Sequence, residues 1–264
     1  MVTVTQNKGF KYPQPLKILI LVMSSRAKDY PLLERAQMRT WDSIQVPNVT
    51  TVYYLADLQT KLIDNKLYVR GKEDFTEMFT RTSIAIRYML QFKWDYVFKT
   101  DNSAYVNKPK LVETIAALPR TNLYAGKLYH PKDKVPLNDN FMWGEGFVLS
   151  RDLAEIIAKD WGKVEMVDDV QIARILRGRT PFTEIPFYDY YVDKPPLPNV
   201  HLYRCKSEDS KSFDKEIEAF NNIHKHLTET YYGKEGCARQ SGQHQEKTQE
   251  ESQQKGYTRK DKTV

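Results

Sequence analysis

Residues 96–107 read YVFKTDNSAYVN, and this stretch decides how the rest of the chain is interpreted. An apolar run ends at Asp101, a turn follows at Asn102 and Ser103, and the apolar pattern then resumes. A short apolar run that ends in turn-forming residues is typical of a buried strand. In an open α/β sheet, ligands bind beyond the carboxyl ends of the strands. An acidic turn at that edge can hold a divalent cation against a phosphate, or it can be an ordinary Asx turn.

The sequence on both sides of this strand alternates between candidate strands and candidate helices. Strands are predicted at residues 17–25, 48–57, 96–100, 123–129, 144–150 and 183–189. Helices are predicted at residues 30–43, 75–92, 108–118, 151–159, 170–176 and 211–228. This alternation predicts an α/β fold with a mostly parallel sheet. The near-continuous apolar run of the first strand indicates that both of its faces are covered.

Composition divides the 264 residues into one folded region and two polar ends. Residues 1–15 contain two prolines and are predicted to be a flexible segment. Residues 16–232 are predicted to form a single domain. Residues 233–264 consist mainly of Gln, Lys, Glu, Ser and Gly. Because such a composition cannot bury enough apolar surface to offset the entropy of ordering, we expect a disordered tail.

Charge and hydropathy argue against two classes of protein. The net charge of +6 is spread along the chain and no nucleic-acid motif is present, so no nucleic acid is expected as a partner. The mean hydropathy is −0.63. The apolar run at residues 16–23 is far shorter than the ~20 residues that a bilayer requires. No transmembrane segment is therefore expected. A soluble, cytoplasmic protein is predicted, with the Golgi lumen as the alternative if the chain lacks a native membrane anchor.

A first candidate binding element follows the opening strand. Ser24 ends that strand, at a place where a nucleotide could sit. Arg35 and Arg39 on the next helix are four residues apart and therefore share one face. Guanidinium groups bind phosphate oxygens well, but the same spacing is also typical of a solvated helix face.

A glycine-containing strand begins at Trp143. Gly144 and Gly146 would let the backbone approach a ligand closely, Trp143 could stack on a sugar ring, and Glu145 could accept a hydrogen bond from a hydroxyl. A strand entered through a flexible turn has the same pattern.

Two adjacent carboxylates, Asp168 and Asp169, precede a short helical pattern. The helix dipole favours acids at this position, and that alone could explain them. Alternatively, a carboxylate placed in a cleft can act as a general base and take the proton of an attacking hydroxyl.

Taken in order, these segments resemble the β-1,3-glycosyltransferase family (glycosyltransferase family 31), which includes galactosyltransferases, N-acetylglucosaminyltransferases and Fringe. The residues that match the family motifs are Arg35, Arg39, Thr40 and Trp41, then Lys99, Asp101, Tyr105, Val106 and Asn107, then Gly144, Gly146, Phe147, Leu149 and Ser150, and finally Asp168, Asp169 and Val170. Asn102 and Ser103 stand where the family has acids. The resemblance covers residues 16–205.

The resemblance implies a GT-A type nucleotide-diphospho-sugar transferase fold, with a mixed, mostly parallel sheet flanked by helices. It implies inverting transfer of a hexose of the galactose or N-acetylglucosamine class from a UDP-sugar to a hydroxyl of an oligosaccharide or glycoconjugate acceptor, forming a β-1,3 linkage. Asp169 would be the catalytic base, with Asp168 as the alternative. Residues 143–146 would face the acceptor sugar.

The resemblance also implies a donor site and a metal site. The implied donor-binding residues are Ser24, Arg35, Arg39, Asp57, Lys99, Asp101 and Asn102, with Asp57 on the uridine. The implied metal is Mn²⁺, held by Asp101, Ser103 and His201. A serine supplies only a neutral oxygen, so the affinity for a divalent ion should fall. Basic residues could then neutralise the diphosphate without metal, and a catalytically inactive relative that binds glycans or nucleotides is the remaining alternative.

Overall fold

The structure is a computed structural model that describes residues 15–27, 29–129, 140–160, 167–190, 195–197, 199–206 and 213–232. The predictions for the two polar ends lie outside these ranges, apart from residue 15. No helix within these ranges is long and apolar enough to cross a membrane.

Eleven strands and six helices follow each other along the described chain. The strands are β1 (Ile18–Met23), β2 (Val49–Asp57), β3 (Lys61–Ile63), β4 (Lys66–Arg70), β5 (Tyr96–Asp101), β6 (Ala104–Val106), β7 (Tyr124–Tyr129), β8 (Phe141–Ser150), β9 (Phe182–Glu184), β10 (Tyr188–Asp189) and β11 (Leu202–Arg204). The helices are α1 (Tyr30–Arg39), α2 (Met78–Met89), α3 (Lys108–Ala116), α4 (Arg151–Lys159), α5 (Asp168–Leu176) and α6 (Asp214–Leu227), with 3₁₀ turns at Trp41–Ser43 and Phe75–Glu77 and a π turn at Thr228–Tyr232.

Eight of the strands form one sheet in the order β3-β4-β2-β1-β5-β8-β7-β9. The pairs β4–β2, β2–β1, β1–β5 and β7–β9 are parallel, while β8 runs antiparallel to both of its neighbours. The other three strands form a small sheet in the order β10-β11-β6. This mixed, mostly parallel sheet with helices on its faces has the GT-A-like architecture that the sequence predicts.

The helices cover both faces of the large sheet, and β1 shows why. Ile18, Ile20 and Val22 pack into one core cluster with α1, α3 and α6. Leu19 and Leu21 pack into a second cluster with α2, α4 and α5. Because successive strand residues point to opposite faces, the continuous apolar run of β1 supplies both clusters. The prediction that both faces of this strand are covered is confirmed.

Several predicted boundaries shift in the structure. The helix predicted at 30–43 breaks at Thr40, whose backbone angles are not helical, and continues only as a 3₁₀ turn. The strand predicted at 183–189 is split around Pro186, which has no N–H to donate to a ladder. The β3–β4 hairpin was not predicted. Its turn contains Asp64 with a φ of 52°, a conformation that Asp and Asn adopt more readily than most residues.

The topology brings five segments to one edge of the sheet. β1, β2 and β5 are parallel in register, so their carboxyl ends lie side by side. β8 runs antiparallel to β5 and pairs Gly146 with Thr100, which places the beginning of β8 at the same edge. α5 packs against β8 and brings the Asp168–Asp169 pair there as well.

Candidate active site

Asp101 ends β5 and closes the turn that follows it. Its Oδ1 accepts hydrogen bonds from the Ser103 backbone N–H at 2.8 Å and from the Ser103 hydroxyl at 2.6 Å. The Asx turn left open by the sequence is therefore present. Burial raises the pKa of the Asp101 carboxyl and the charge of Glu145 raises it further, while Lys99 and the hydrogen bonds from Ser103 act in the opposite direction.

Asn102 lies inside the protein and anchors the turn to α1. Its side chain is buried, and its Nδ2 donates to Gln37 Oε1 at 3.1 Å. Gln37 in turn donates to the carbonyl oxygens of Asp101 and Ala104, at 3.0 and 2.8 Å. Asn102 therefore has a structural role, and its predicted contact with a donor remains a prediction. The sequence analysis missed Gln37, because a polar residue on the buried face of a helix does not stand out in an amphipathic pattern.

Arg35 and Arg39 lie on the exposed face of α1, whereas Glu34 and Gln37 lie on its buried face. Ser24 is buried beneath that face and donates to Glu34 Oε2 at 2.5 Å. Ser24 is thus engaged in the core, and the two arginines are exposed together on the outer face of α1 because their spacing of four keeps them on one side. Their contacts with a donor remain predictions.

Asp57 ends β2, as predicted, at the sheet edge formed by the carboxyl ends of β1, β2 and β5. We refer to this edge as the ligand edge, because ligands of open α/β sheets bind there. The Leu58 N–H donates to its Oδ1 at 2.6 Å, and Arg26 Nη2 donates to its Oδ2 at 2.7 Å. These hydrogen bonds lower the pKa of the Asp57 carboxyl, that from Leu58 having the larger effect. Asp57 is therefore an ionised acceptor beside an accessible guanidinium, and its contact with a nucleoside remains a prediction.

Lys99 and Asp168 form a buried ion pair with 2.9 Å between Lys99 Nζ and Asp168 Oδ2, and each side chain is only 2% exposed. Lys99 also donates to the carbonyl oxygen of Gly144 at 3.0 Å. Burial by itself lowers the pKa of the Lys99 ammonium, but the charges of Asp168, Tyr54 and Asp101 and the hydrogen bond to Asp168 together outweigh it and leave the pKa above its ordinary value. The two groups are therefore each other's partners, and the predicted roles of Lys99 in donor binding and of Asp168 as the alternative base remain predictions.

Asp169 opens α5 and lies against the glycine-containing strand. A Cβ placed on Gly144 would come 3.0 Å from Asp169 Oδ2, and the Val170 N–H donates to Asp169 Oδ1 at 2.8 Å. Burial raises the pKa of Asp169 to about 6; the charge of Asp168 adds to this shift and Lys99 opposes it. A carboxyl group with this pKa is ionised at neutral pH and is more basic than an ordinary aspartate, which suits a general base.

Trp143 and Glu145 flank Gly144 on β8, and Arg204 contacts both of them. Arg204 Nε donates to Glu145 Oε1 at 2.9 Å, and the guanidinium carbon of Arg204 lies 5.3 Å from the centre of the Trp143 ring. Lys127 Nζ lies 5.2 Å from the same ring. Asp189 faces both cations, 3.0 Å from Lys127 and 3.5 Å from Arg204. A half-buried indole among paired charges is a suitable surface for a sugar. No sequence motif marks Lys127, Asp189 or Arg204.

Gly146 has a packing explanation. A Cβ at this position would overlap Leu202 Cδ2 and would come 3.0 Å from Phe98 Cζ. The absence of a side chain therefore allows β8 to pack closely against β11. This packing accounts for the glycine, and its predicted contact with a sugar remains a prediction.

His201 lies apart from the Asp101 turn. It packs edge-on against Phe98, with ring centroids 6.3 Å apart, and its backbone carbonyl accepts from the Asn107 N–H. Burial lowers the pKa of His201 to about 4. It is Arg204 that β11 pairs with Ala104, beside the turn. Among the described residues, no group of three or more His, Cys, Asp or Glu side chains is arranged to hold a metal ion.

The chain has similarity to known proteins in the course of its backbone. No family model and no curated protein match the sequence. The chain is 15% identical to a glycosyltransferase involved in the glycosylation of the major capsid of PBCV-1, whose crystal structure aligns over 78% of this chain and 98% of that chain with a TM-score of 0.48. It is also 15% identical to the mannosyltransferase PcManGT from Pyrobaculum calidifontis in complex with GDP-Man and Mn²⁺, over 66% of this chain and 56% of that chain with a TM-score of 0.45. At this level of similarity, function has to be argued from the site.

Proposed function

We propose that the chain is a glycosyltransferase that moves a sugar from a nucleotide-diphosphate donor to a hydroxyl group, with Asp169 as the general base. The observation that carries this proposal is the position of Asp169, which lies against Gly144 at the ligand edge of the sheet with a pKa of about 6. In an inverting transfer, the attacking hydroxyl gives its proton to the base while the new glycosidic bond forms and the nucleoside diphosphate leaves.

The finer assignment follows the family resemblance. The donor would be a UDP-sugar, the transferred sugar a hexose of the galactose or N-acetylglucosamine class, and the acceptor an oligosaccharide or glycoconjugate that gains a β-1,3 linkage. Asp57 supports the donor site as an ionised acceptor at the end of β2. The Trp143 ring and the paired Glu145 support an acceptor site beside Asp169.

The described residues do not fit the three-ligand metal site that the resemblance implies. Asp101 offers one carboxylate, Ser103 offers a neutral oxygen already bonded to it, and His201 packs against Phe98. We therefore derive no step through a metal ion. Arg26, whose side chain is 55% exposed beside Asp57, is a cation at the ligand edge that is accessible to a diphosphate. It joins Arg35 and Arg39, which are also exposed, in the proposed donor site.

The test is nucleotide release from purified protein incubated with UDP-galactose, UDP-N-acetylglucosamine, UDP-glucose and GDP-mannose, each with Mn²⁺ and with EDTA. Wild type is expected to release UDP from one of the UDP-sugars. Asp169→Asn is expected to lose at least ~100-fold in rate, the contribution typical of a general base. Asp64→Asn is the matched control, because Asp64 is an exposed residue with a φ of 52° that Asn also adopts readily.

Two results would change the proposal. A rate in Asp169→Asn equal to that of wild type would remove Asp169 as the base while leaving a transferase. No release from any donor, together with no binding of UDP or GDP by calorimetry, would overturn the transferase proposal in favour of a glycan-binding module on the same fold. The EDTA arm separates metal-dependent from metal-independent turnover.

A further inference from the structure

A buried lysine joins three elements of the fold directly beneath the proposed base. Lys99 on β5 contacts Asp168 on α5 at 2.9 Å and the carbonyl oxygen of Gly144 on β8 at 3.0 Å. Thr82 on α2 donates to the same Asp168 oxygen at 2.9 Å, and the Tyr54 hydroxyl on β2 lies 2.9 Å from Thr82 Oγ1. The network therefore links four elements around one ammonium group and reaches β2 through Thr82.

Stability alone does not explain this lysine. The dipole of α5 favours acids in its first turn by about 0.3–2 kcal/mol, which is less than the cost of burying the Asp168 carboxylate. Removing two charges from water costs several kcal/mol per ion, and replacing such pairs by apolar residues is often neutral or stabilising. A lysine at 1% exposure paired with a buried aspartate is thus not explained by stability.

Both groups that Lys99 contacts lie next to Asp169. Asp168 precedes Asp169 in the chain, and Gly144 contacts the Asp169 carboxylate in space. A single ammonium therefore fixes the start of α5 and the glycine-containing strand relative to each other, with Asp169 between them.

We infer that Lys99 is a positioning residue: by holding the Asp168 carboxylate and the Gly144 carbonyl together, it fixes Asp169 at the ligand edge. The catalytic consequence of this inference rests on the proposed function of Asp169. The claim that Lys99 fixes the position of Asp169 does not rest on that function, and it can be tested without any substrate.

The charge of Lys99 should also affect the pKa of Asp169. The groups that face it are Asp168 on its own helix, Lys99 on β5, Glu145 on β8, the phenol of Tyr124 on β7, and Thr82 on α2 through Asp168. Burial and the charges of Asp168 and Glu145 favour its protonated form, and Lys99 opposes them. Removing the Lys99 charge leaves Asp168 uncompensated, so Asp169 should bind its proton more tightly.

The experiment is a pH titration by NMR of protein labelled with ¹³C at the aspartate carboxyl groups, with the Asp169 signal assigned from Asp169→Asn. Lys99→Met is expected to raise the Asp169 midpoint by about one pH unit or more, which is a tenfold change in proton affinity. Lys99→Met/Asp168→Asn removes both charges, so its midpoint is expected to return to within about half a unit of wild type. Where UDP release is measurable, the acid limb of its pH profile should move in parallel.

The matched control is Lys108→Met. Lys108 is also a buried lysine, bonded to Asp42 Oδ1 at 2.6 Å and to the carbonyl oxygens of Asp42 and Ile44. Its loss removes a comparable pair elsewhere in the molecule, so it should lower stability and leave the Asp169 midpoint unchanged. An Asp169 midpoint that does not move in folded Lys99→Met, or that moves equally in Lys108→Met, would overturn the inference.

If Lys99→Met does not fold, the test is hydrogen exchange measured on the double variant Lys99→Met/Asp168→Asn. The Val170 N–H donates to Asp169 Oδ1, and its protection reports how firmly the start of α5 is held. Exchange is expected to be at least ~10-fold faster in the double variant than in Lys108→Met, a ratio that corresponds to about 1.4 kcal/mol of local opening. Equal protection would contradict the positioning role. Absence of nucleotide release in wild type would count only against the proposed function.

Discussion

The Asp169 carboxyl group is held in surroundings that disfavour its charge. Its pKa rises from 3.8 to about 6, so between these pH values the folded protein binds a proton that the unfolded chain has released. Stability therefore falls as the pH rises through this window, and the cost is complete above pH 6. We predict that Asp169→Asn raises the free energy of unfolding by about 1–3 kcal/mol at pH 8 and has no such effect at pH 3.5. Urea unfolding at both pH values measures this.

The same gain at both pH values would show that the substitution acts through packing rather than through charge. A loss of stability at pH 8 would contradict the raised pKa. Asp64→Asn again serves as the control, because Asp64 is exposed and no comparable gain is expected there. A base that destabilises its own fold is the pattern expected of a functional site.

Some individual residues could be placed from sequence and others could not. Asp101, Trp143 and Asp169 each lie at the end of an element with a strong pattern, so their position at the ligand edge was predictable. A spacing of four shows that Arg35 and Arg39 share a face but not which face, and the structure places that face in solvent. Lys99 finds its partner at Asp168, and no local pattern encodes a pair so distant in the chain.

The two glycines of β8 have different neighbours. Gly144 faces the Asp169 carboxylate, whereas Gly146 faces the core at Leu202 and Phe98. We predict that Gly144→Ala has little effect on stability but lowers nucleotide release, because the Asp169 carboxylate must move by a few tenths of an ångström. Gly146→Ala is expected to destabilise the protein by about 1–3 kcal/mol, the usual cost of overpacking a core. Chemical unfolding and UDP release, measured on both variants, test the pair.

Gly178→Ala is the matched control for these two variants. Gly178 has a φ of +73°, and nothing lies within 4 Å of its missing Cβ. Its substitution should therefore cost about 1 kcal/mol through the backbone alone and leave nucleotide release unchanged. If Gly144→Ala lost no more activity than Gly178→Ala, contact with Gly144 would not matter for the base.

The long elements were predictable and the short ones were not. The strand at 96–100 and the helices at 108–118 and 151–159 were found within two residues of their observed bounds, because each carries several turns or alternations. The strands β6, β10 and β11 have only two or three residues each, too few for a period to show. The sequence therefore predicted the large sheet apart from β3 and β4, but it did not predict the small sheet as a unit, nor with it the position of Arg204.

The small sheet meets the large one through Arg204. This residue lies on β11 and its guanidinium contacts Glu145 on β8 and Asp189 on β10. It thus joins the two sheets beside Trp143. Arginine suits this junction because its planar fork can meet two carboxylates at once, which a lysine cannot do with the same geometry.

We predict that Arg204→Gln lowers the free energy of unfolding by about 1–3 kcal/mol, because Glu145 loses a charge-assisted hydrogen bond while remaining largely buried. Arg204→Lys should recover only part of this loss. Arg70→Gln, which changes an exposed arginine on β4, should lie within about 0.5 kcal/mol of wild type. Urea unfolding, followed by far-UV circular dichroism and by tryptophan fluorescence, measures all three.

The two probes also test whether the sheets unfold together, since Trp143 lies beside Arg204 at the junction. The fluorescence transition is compared with the circular dichroism transition in each variant. Separation of the two in Arg204→Gln alone would show that the guanidinium makes the two sheets unfold as one unit. An Arg204→Gln variant as stable as Arg70→Gln would instead mean that packing between the sheets suffices without it.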